Sequence, residues 1–447
     1  MKKKNAIQLS DHFTYGRLIR FVIPSIGMMI FTSIYGVVDG YFVSNVVGKT
    51  PFAAVNLIMP FLMIFGAIGF MIGTGGSAII ARTLGMGDRE RANRVFSMLI
   101  YTTIVIGIII SVIGAAFLRP ISILLGAKGE VIDYCVNYGR IIMFALTFFM
   151  LQNVFQSFLV TAEKPKLGLY VTVAAGVTNM VGDFLFVKVF ALGVEGAALA
   201  TALSQLVGGL IPLIYFIRPN SSLLRLTRAG VDWKVLLHTC TNGSSELMSN
   251  ISMSVVNMLY NMQLLKYAGE DGVAAYGVIM YVNFIFVAIF IGYAIGSAPI
   301  IGFNYGAENN SELKNILKKS IKLNLGSGVV LSAAAIALSR ILAGIFVAYD
   351  PVLNEMTVHG FRIYSLAFLL CGLSIFGSSM FTALSNGLIS ALISFLRTLV
   401  FQVSMVLVLP IFFELEGVWW SVVAAEAFSA MVTLFFVVKM RPKYKYF

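Results

Sequence analysis

Long apolar runs recur along the whole chain, interrupted only by short charged or Gly/Pro-containing breaks. A transmembrane helix needs about 20 consecutive apolar residues to cross the hydrocarbon core of a bilayer. Only 12% of the 447 residues are charged and 59% are hydrophobic, whereas a soluble domain carries about 25% charged residues. The lipid bilayer is therefore the main solvent of this protein, and an ordinary soluble enzyme is excluded.

The breaks between the apolar runs divide the chain into twelve predicted spans. The first six lie near residues 16–44, 51–80, 93–117, 131–160, 166–188 and 194–217. After a polar linker, the second six lie near residues 234–265, 272–303, 318–346, 352–383, 388–413 and 417–438. Several of these spans are longer than the bilayer is thick, which implies that the helices tilt or extend beyond the membrane. We predict an all-α integral membrane protein with twelve transmembrane helices.

The second half of the chain repeats the first half at an offset of 221 residues. The offset aligns Gly75 with Gly296, Gly85 with Gly306, and Glu195 with Glu416. Because each copy has six spans, both copies enter the membrane in the same orientation. We therefore predict two pseudo-symmetric six-helix bundles, related by an axis along the membrane normal, with a central cavity between them. The predicted units are residues 1–217, the linker 218–232 and residues 233–447.

Basic residues lie mostly on one side of the predicted bilayer. Of the 32 Lys and Arg residues, 23 fall in the termini and the even-numbered loops, six in the other loops and three within spans. Basic loops are retained in the cytoplasm, so we predict a multi-pass protein of the cytoplasmic membrane with both termini cytoplasmic. The net charge of +12 reflects this topology and attraction to anionic lipid, and nucleic acid is not an expected partner.

Buried acidic residues are the first candidates for function. Four of them lie deep in predicted spans: Asp39, Asp183, Glu246 and Glu426. Ionised carboxylates are costly in a bilayer, and such residues usually face the bundle interior and mark ion or substrate pathways.

Polar spacing on two spans suggests how a site forms around these acids. Asn179 lies one helical turn before Asp183 on one face of span five. Thr201 and Gln205 repeat this spacing on span six. If Asp39 faces the same bundle, the five side chains form a site whose balanced electrostatics suit a proton or Na⁺. The alternative is a polar cluster that only holds the helices together.

Further positions are candidates for coupling or for substrate contact. Glu246, with Asn250 one turn later, lies in an unusually polar stretch of span seven, and Glu426 lies in span twelve. For each glutamate two interpretations are open: it binds a coupling ion or a substrate, or it has no functional role. Aromatic and Met side chains can hold flat cations. The candidate cavity residues are Tyr35, Met63, Tyr138, Phe155, Met280, Tyr281 and Phe284.

Other features of the spans carry weaker expectations. Pro24 is expected to kink span one and to act as a hinge. The three basic residues within spans are expected at the periphery, where their side chains reach an interface. These residues are Arg140, Arg362 and Arg397.

Sequence patterns give no support for catalysis. The chain contains no GxxxxGK[ST] phosphate loop and no H-E-x-x-H pattern. Its three cysteines fall within predicted spans without zinc-site spacing, and we expect them to be free thiols. We predict no enzyme activity, no metal site and no cofactor beyond H⁺ or Na⁺ as the coupling ion.

These features resemble the multidrug and toxic compound extrusion (MATE) family over the whole chain, and within it the bacterial branch with DinF-like and MepA-like exporters. The resemblance rests on the duplicated halves, the span from Pro24 to Asp39, the loop at 82–88, and Asn179 and Asp183 with Thr201. The combination of these last four polar residues is its most specific part.

The resemblance implies a V-shaped pair of bundles that exports cationic, amphipathic compounds in exchange for H⁺ or Na⁺ by alternating access. It implies that Asp39, Asn179, Asp183 and Thr201 form the cation site. The NorM-like branch has a coupling glutamate near the position of Ser252, which Glu246 does not match. We expect a monomer, with small molecules and membrane lipid as its partners.

Two alternatives remain open at this stage. A flippase for lipid-linked saccharide or cell-wall precursors keeps the fold, but its phosphate-bearing cargo calls for arginines in the cavity. A membrane-embedded lipid-modifying enzyme needs clustered Asp residues for Mg²⁺ or a His/Ser site, and no such cluster occurs in a span. Four acids against three arginines expected at the periphery favour cationic cargo.

Overall fold

The computed structural model describes residues 7–446, except the side chains of Ser44, Asn45 and Lys49. Its α-helices are α1 (Tyr15–Phe42), α2 (Lys49–Gly85), α3 (Arg89–Leu124), α4 (Glu130–Thr161), α5 (Pro165–Gly182), α6 (Gly193–Ile217), α7 (Trp233–Gly306), α8 (Asn310–Val347), α9 (Pro351–Ser365), α10 (Phe368–Ala383), α11 (Gly387–Phe395), α12 (Gln402–Lys439) and α13 (Arg441–Tyr444). Three π-helical turns follow α1, α5 and α11, at Val43–Val47, Asp183–Val189 and Leu396–Phe401.

Within the described residues the helices make twelve spans, as predicted. Nine helical stretches are long and apolar enough to cross a membrane, and α9 with α10 adds a tenth that is bent by 47°. The helix α7 has 74 residues, which at 1.5 Å per residue is about 110 Å and far exceeds one bilayer. It therefore holds two spans, divided at Gly269 (φ +63°). Glu414 (φ +49°) divides α12 in the same way.

Helix α2 packs against both arms of α7, the first arm at 233–268 and the second at 270–306. A methyl group on Gly85 would collide with the backbone of Phe303, and one on Gly306 would collide with the backbone of Arg82. Residues 82 and 303 are separated by 221 positions, as are 85 and 306. The same contact is therefore made twice, which is the signature of a two-fold axis.

A second reciprocal contact lies about three turns before Gly85 and Gly306, where α2 meets the first arm of α7 and the second arm of α7 meets α1. A Cβ on Gly75 would lie 2.8 Å from the backbone nitrogen of Gly243, and a Cβ on Gly296 would lie 3.0 Å from Val22. These pairs also exchange under the offset of 221 residues. We call the contact surface through these positions the seam; along it the two halves of the chain meet with little or no side chain between the backbones.

Both chain ends lie on one side of the helix bundle, called the terminus side here. The buried side chains of Leu9 and Phe13 belong to the same apolar cluster as Tyr444 and Tyr446. The cluster also takes side chains from the start of α8 and the end of α10. The two seam contacts lie in the halves of α2 and of the second α7 arm that approach this side, so the molecule is closed there.

Residues 7–14 form a strap that joins the two halves on the terminus side. The amide of Leu9 donates a hydrogen bond to Glu163 Oε1 at 2.6 Å, between α4 and α5. The amide of Phe13 donates to Glu312 Oε1 at 2.8 Å, and His12 Nδ1 lies 2.7 Å from Glu312 Oε2. The strap thus bridges α8 in the second half to a loop of the first half.

Substitution at the reciprocal glycines should destabilise the closed seam. Gly85→Ala and Gly306→Ala should each lower the free energy of unfolding by about 1–3 kcal/mol, because an added methyl group overpacks a backbone contact. Gly344→Ala in α8 is the control, since its Cβ would meet nothing within 4 Å. Thermal unfolding in detergent measures the effect. A Gly85→Ala melting temperature equal to or above that of the unmodified protein would contradict the seam assignment.

Removal of the Glu312 carboxylate should free the strap. Hydrogen bonds to a charged group contribute about 1.5–3 kcal/mol, so Glu312→Ala should expose residues 7–14 to protease. Glu130→Ala is the control, because Glu130 is exposed at the start of α4. Limited proteolysis followed by mass spectrometry reports the cut sites. Equal strap cleavage in the unmodified protein and in Glu312→Ala would show that this carboxylate does not hold the strap.

Candidate functional site

The first-half bundle brings two carboxylates to the points where regular helix gives way to π-helix. Asp39 lies in the last turn of α1, just before the π-helical turn Val43–Val47. Asp183 is the first residue of the π-helical turn that follows α5. The π-helical turns are rare and occur frequently at functional sites. Their presence beside both acids therefore marks this part of the bundle.

Asp39 and Asp183 meet inside the first-half bundle. The Asp39 carboxyl group interacts with the side chains of Asp183, Asn179 and Thr201. The Asn179 side-chain amide donates a hydrogen bond to Thr201 Oγ1 at 3.4 Å. Asp183 has no exposed surface and Asn179 is 2% exposed, while Asp39 is partly buried. The structure thus brings together the four residues expected to form one site; we call them the acid site.

Close approach of α5 and α6 allows this arrangement. A Cβ on Gly182 would lie 2.8 Å from the Cβ of Ala200. The missing side chain therefore lets the two helices pack closely at the residue that precedes Asp183. Because Ala200 directly precedes Thr201, the same contact holds the hydroxyl of Thr201 beside the carboxylates.

Several buried oxygen atoms in this bundle have no hydrogen-bond donor among the described residues. They are Asp39 Oδ1, both carboxyl oxygens of Asp183, Asn179 Oδ1 and Gln205 Oε1. Unpaired buried acceptors are costly, and two carboxylates in contact cannot both remain ionised without a compensating cation. Hard cations bind through oxygen atoms. The arrangement is therefore chemically suited to a proton shared between the acids or to a small metal cation such as Na⁺.

Two buried polar residues of α4 lie in the same bundle and were not identified from the sequence. Gln152 is 5% exposed and interacts with Tyr35, which is partly buried near Asp39. Gln156, one turn later, is also 5% exposed. Their spacing of four residues within an apolar span is the signal that would have found them, because it places two amides on one buried helix face.

Two of the predicted cavity residues, Phe155 and Tyr138, are buried inside the first-half bundle. Phe155 is 1% exposed and stacks on Phe216 with ring centroids 5.7 Å apart. Tyr138 is also 1% exposed, and its hydroxyl group donates to Met59 Sδ at 3.8 Å. Both rings lie in the interior of the first-half bundle, where Phe155 also lines a small internal pocket with Gln152 and Gln156. Contact of either ring with a substrate stays a prediction.

The other aromatic and Met candidates have accessible surface. Met63, Tyr281 and Phe284 are 41%, 42% and 38% exposed, while Met280 is partly buried, as is Tyr35. Their contact with a substrate stays a prediction.

Glu426 is not an unpaired acid, and Arg397 is not peripheral. Arg397 Nε lies 3.0 Å from both carboxyl oxygens of Glu426, and Nη2 lies 2.9 Å from Oε1. The two side chains are 19% and 4% exposed. This bidentate pair is buried inside the second half, because a guanidinium can offset the cost of a buried carboxylate. Arg140 and Arg362 are exposed, as expected.

Glu426 corresponds to Gln205 at the offset of 221 residues. The two halves therefore differ in charge at related positions. Among the described residues, Asp39 and Asp183 of the first half have no basic partner, whereas Glu426 of the second half forms an ion pair with Arg397.

Glu246 and Asn250 lie on the first arm of α7, just beyond the seam contact at Gly243, and both are partly buried. The side-chain amide of Asn250 donates to the backbone carbonyl of Glu246 at 2.8 Å, so this amide bonds to the helix backbone. Pro24 is buried within α1, which continues as helix to Phe42. The roles of the three residues as substrate contact, coupling site or hinge stay predictions.

The three cysteines are free, as predicted, and none forms a disulfide bond within the described residues. Cys135 and Cys371 are buried and Cys240 is partly buried. No group of three or more His, Cys, Asp or Glu side chains comes together among residues 7–446 in a way that suits a metal ion.

Comparison with known families and proteins gives consistent matches over the whole chain. The MatE family model matches residues 24–185 and 247–408, one match in each half. The multidrug export protein MepA of Staphylococcus haemolyticus is 26% identical over 442 residues, which are 99% of this chain and 97% of that protein. MepA of Staphylococcus aureus is 25% identical over 448 residues, 99% of this chain and 98% of the relative.

Solved transporter structures share the fold. A crystal structure of a MATE protein in complex with MaL6 superimposes with a TM-score of 0.93 at 24% identity, covering 99% of this chain and 100% of that one. An outward-facing multidrug resistance MATE family transporter of the MOP superfamily has a TM-score of 0.93 at 23% identity, with full coverage of both chains. The twelve helices and the V-shaped cavity of this fold agree with the predicted fold class.

Breaking the buried ion pair of the second half should destabilise the protein strongly. Glu426→Gln leaves the Arg397 charge without its carboxylate, and removal of one partner of a buried pair costs about 3–5 kcal/mol. Replacement of both residues, Arg397→Met with Glu426→Leu, should recover most of that loss. Thermal unfolding of the single and double variants tests this expectation. A Glu426→Gln protein as stable as the unmodified one would show that the pair is not structurally important.

Proposed function

This chain belongs to the MatE family, as the sequence resemblance predicted, and on that premise we propose that it is a secondary active exporter of cationic, amphipathic compounds, driven by H⁺ or Na⁺. The similar MepA proteins are multidrug export proteins. The proposal rests on one observation in this chain: two buried carboxylates, Asp39 and Asp183, are in contact with each other. No basic side chain in the described part of the bundle pairs with them. Export needs a site whose charge changes with one cation, and the acid site provides it.

The acid site links cation binding to helix packing. Asp39 is on α1, Asp183 follows α5 and Thr201 is on α6, so one bound cation contacts groups from three helices. A proton or Na⁺ removes the repulsion between the carboxylates and stabilises the close packing of α1 against α5 and α6. Loss of the cation favours their separation. A ligand shifts a conformational equilibrium only by its differential affinity, and this site has different affinity in the two packings.

The seam defines one of the two states that alternating access requires. With the terminus side in the cytoplasm, the closed seam corresponds to a cavity open to the outside. We propose that binding of the coupling ion at the acid site releases substrate outward and favours the opposite state, in which the halves separate at the seam. Pro24 lies on α1 between the seam and Asp39, where a change of helix direction would connect the two regions.

Charge favours cationic cargo over phosphate-bearing lipid precursors. The guanidinium of Arg397 is bound to Glu426, so it does not offer a free positive charge to a phosphate. Glu246 is a partly buried carboxylate one turn from the seam contact at Gly243, and Met63, Tyr281 and Phe284 present accessible flat or flexible surfaces. Such surfaces suit organic cations.

We also propose the cellular arrangement that follows from these features. The protein lies in the cytoplasmic membrane with both termini in the cytoplasm and works as a monomer surrounded by lipid. Its two lobes comprise residues 1–217 and 233–447, joined by the linker 218–232. It uses H⁺ or Na⁺ and no other cofactor or metal, and it is not an enzyme.

Neutral substitutions at the acid site should abolish gradient-driven export. Asp39→Asn and Asp183→Asn keep the size of the side chains but remove the charge change, so ethidium efflux from proteoliposomes should fall to background under imposed H⁺ and Na⁺ gradients. Asp271→Asn is the matched control, because Asp271 is exposed. A response of the unmodified protein to only one gradient would identify the ion. Gradient-driven efflux by both acid-site variants would overturn the proposal.

A further inference from the structure

A groove of about 260 Å³ opens where the two halves of the chain meet. Three apolar side chains of α1, at positions 19, 22 and 26, form one wall, and the second arm of α7 and the helix α8 form the others. At its floor the halves touch directly, since a Cβ on Gly292 would collide with the backbone of Ile26. The groove thus has walls from both halves.

The position of the groove along the helices places it in the leaflet on the terminus side. Its α1 residues lie 4 to 11 positions after the start of that helix at Tyr15, which is about 6–17 Å of rise. Lys322 lies 12 positions after the start of α8, about 18 Å along the helix. A lysine side chain at this depth extends its ammonium group back toward the headgroup region.

Lys322 provides the only charge among the residues that line the groove, and its side chain is exposed. Within the described residues its ammonium group has no carboxylate, hydroxyl or aromatic partner. Lys319, on the same helix, differs because its Nζ donates to the carbonyl of Phe13 at 2.7 Å. The hydroxyl of Tyr293, another lining residue, donates to Ser320 Oγ at 2.8 Å. The free polar group of the groove is therefore a single cation above apolar walls.

We propose that this groove binds a phospholipid whose headgroup has a net negative charge, with an acyl chain against α1 and the second α7 arm and the phosphate group at Lys322. Basic positions between transmembrane helices on the cytoplasmic side suit anionic headgroups. The occupant contacts both halves, so it stabilises the closed seam relative to a state in which α1 and α8 separate. The proposal does not depend on the transported compound or on the coupling ion.

Lipid binding to the purified full-length protein tests the charge part of the proposal. Native mass spectrometry in mild detergent compares phosphatidylglycerol with phosphatidylcholine of the same acyl chains. The unmodified protein should bind phosphatidylglycerol more tightly, and Lys322→Gln should weaken that binding about fivefold, the effect of one lysine at an anionic surface. Lys318→Gln is the matched control, since Lys318 is exposed one turn earlier on α8 and does not line the groove.

A pair of glycines on α8 tests the location independently of charge. Gly326 lines the groove and Gly344 does not, and a Cβ at either position would meet nothing within 4 Å. Gly326→Leu should fill the groove and reduce binding of both lipids there, whereas Gly344→Leu should leave binding unchanged. Since both substitutions add the same side chain in open space, the melting temperature of each variant without added lipid should stay close to that of the unmodified protein.

The outcomes separate the proposal from its competitors. Equal affinity of the unmodified protein for the two lipids would show ordinary annular lipid and overturn the proposal. Equal losses in Lys322→Gln and Lys318→Gln would show a diffuse charge effect, and unchanged binding in Gly326→Leu would place the lipid elsewhere; either result also overturns it. The assay contains no gradient and no drug, so its failure is distinguishable from failure of the proposed export function.

Discussion

Backbone-to-backbone packing of α2 against the two arms of α7 is the contact on which the arrangement of the halves depends. Gly85 and Gly306 let the helices approach until residues related by the 221-residue repeat exchange the same contact. A lipid-facing helix pair gains little from the hydrophobic effect, so close packing through small residues becomes the main source of association. The seam closes the terminus side, where the strap also joins the two halves.

Charge is distributed unequally over this nearly symmetric frame. The first half holds Asp39 and Asp183 in contact, with amides and a hydroxyl around them, whereas the second half pairs Arg397 with Glu426. A bidentate ion pair is already neutral and hydrogen-bonded, whereas two carboxylates with no basic partner among the described residues are chemically suited to a cation. Duplication therefore supplied two bundles with one architecture, and divergence of a few buried side chains gave them different electrostatic roles.

Much of the fold and part of the site could be predicted from the sequence. Length and hydrophobicity of each run predicted twelve spans, because backbone polar groups in lipid must be satisfied within a helix. The four-residue spacing of Asn179 and Asp183 predicted a shared face, and the acid site confirms their proximity. The burial of Tyr138 and Phe155 inside the bundle was not foreseen, because composition does not reveal how a helix is rotated about its axis. The partner of Glu426 was missed because Arg397 is 29 residues away, on another helix.

Three properties follow from the amino-acid sequence without any structure: the chain crosses a bilayer twelve times, the crossings form two equivalent sets of six, and four carboxylates lie in the apolar layer. These properties depend on local hydrophobicity and on internal repetition, which need no knowledge of packing. The packing of the helices in three dimensions sets which carboxylates meet each other, which one meets an arginine, and which side of the molecule is closed. Those outcomes depend on helix rotation and on close approach at particular glycines, and such contacts between distant segments have no periodic signature in the chain.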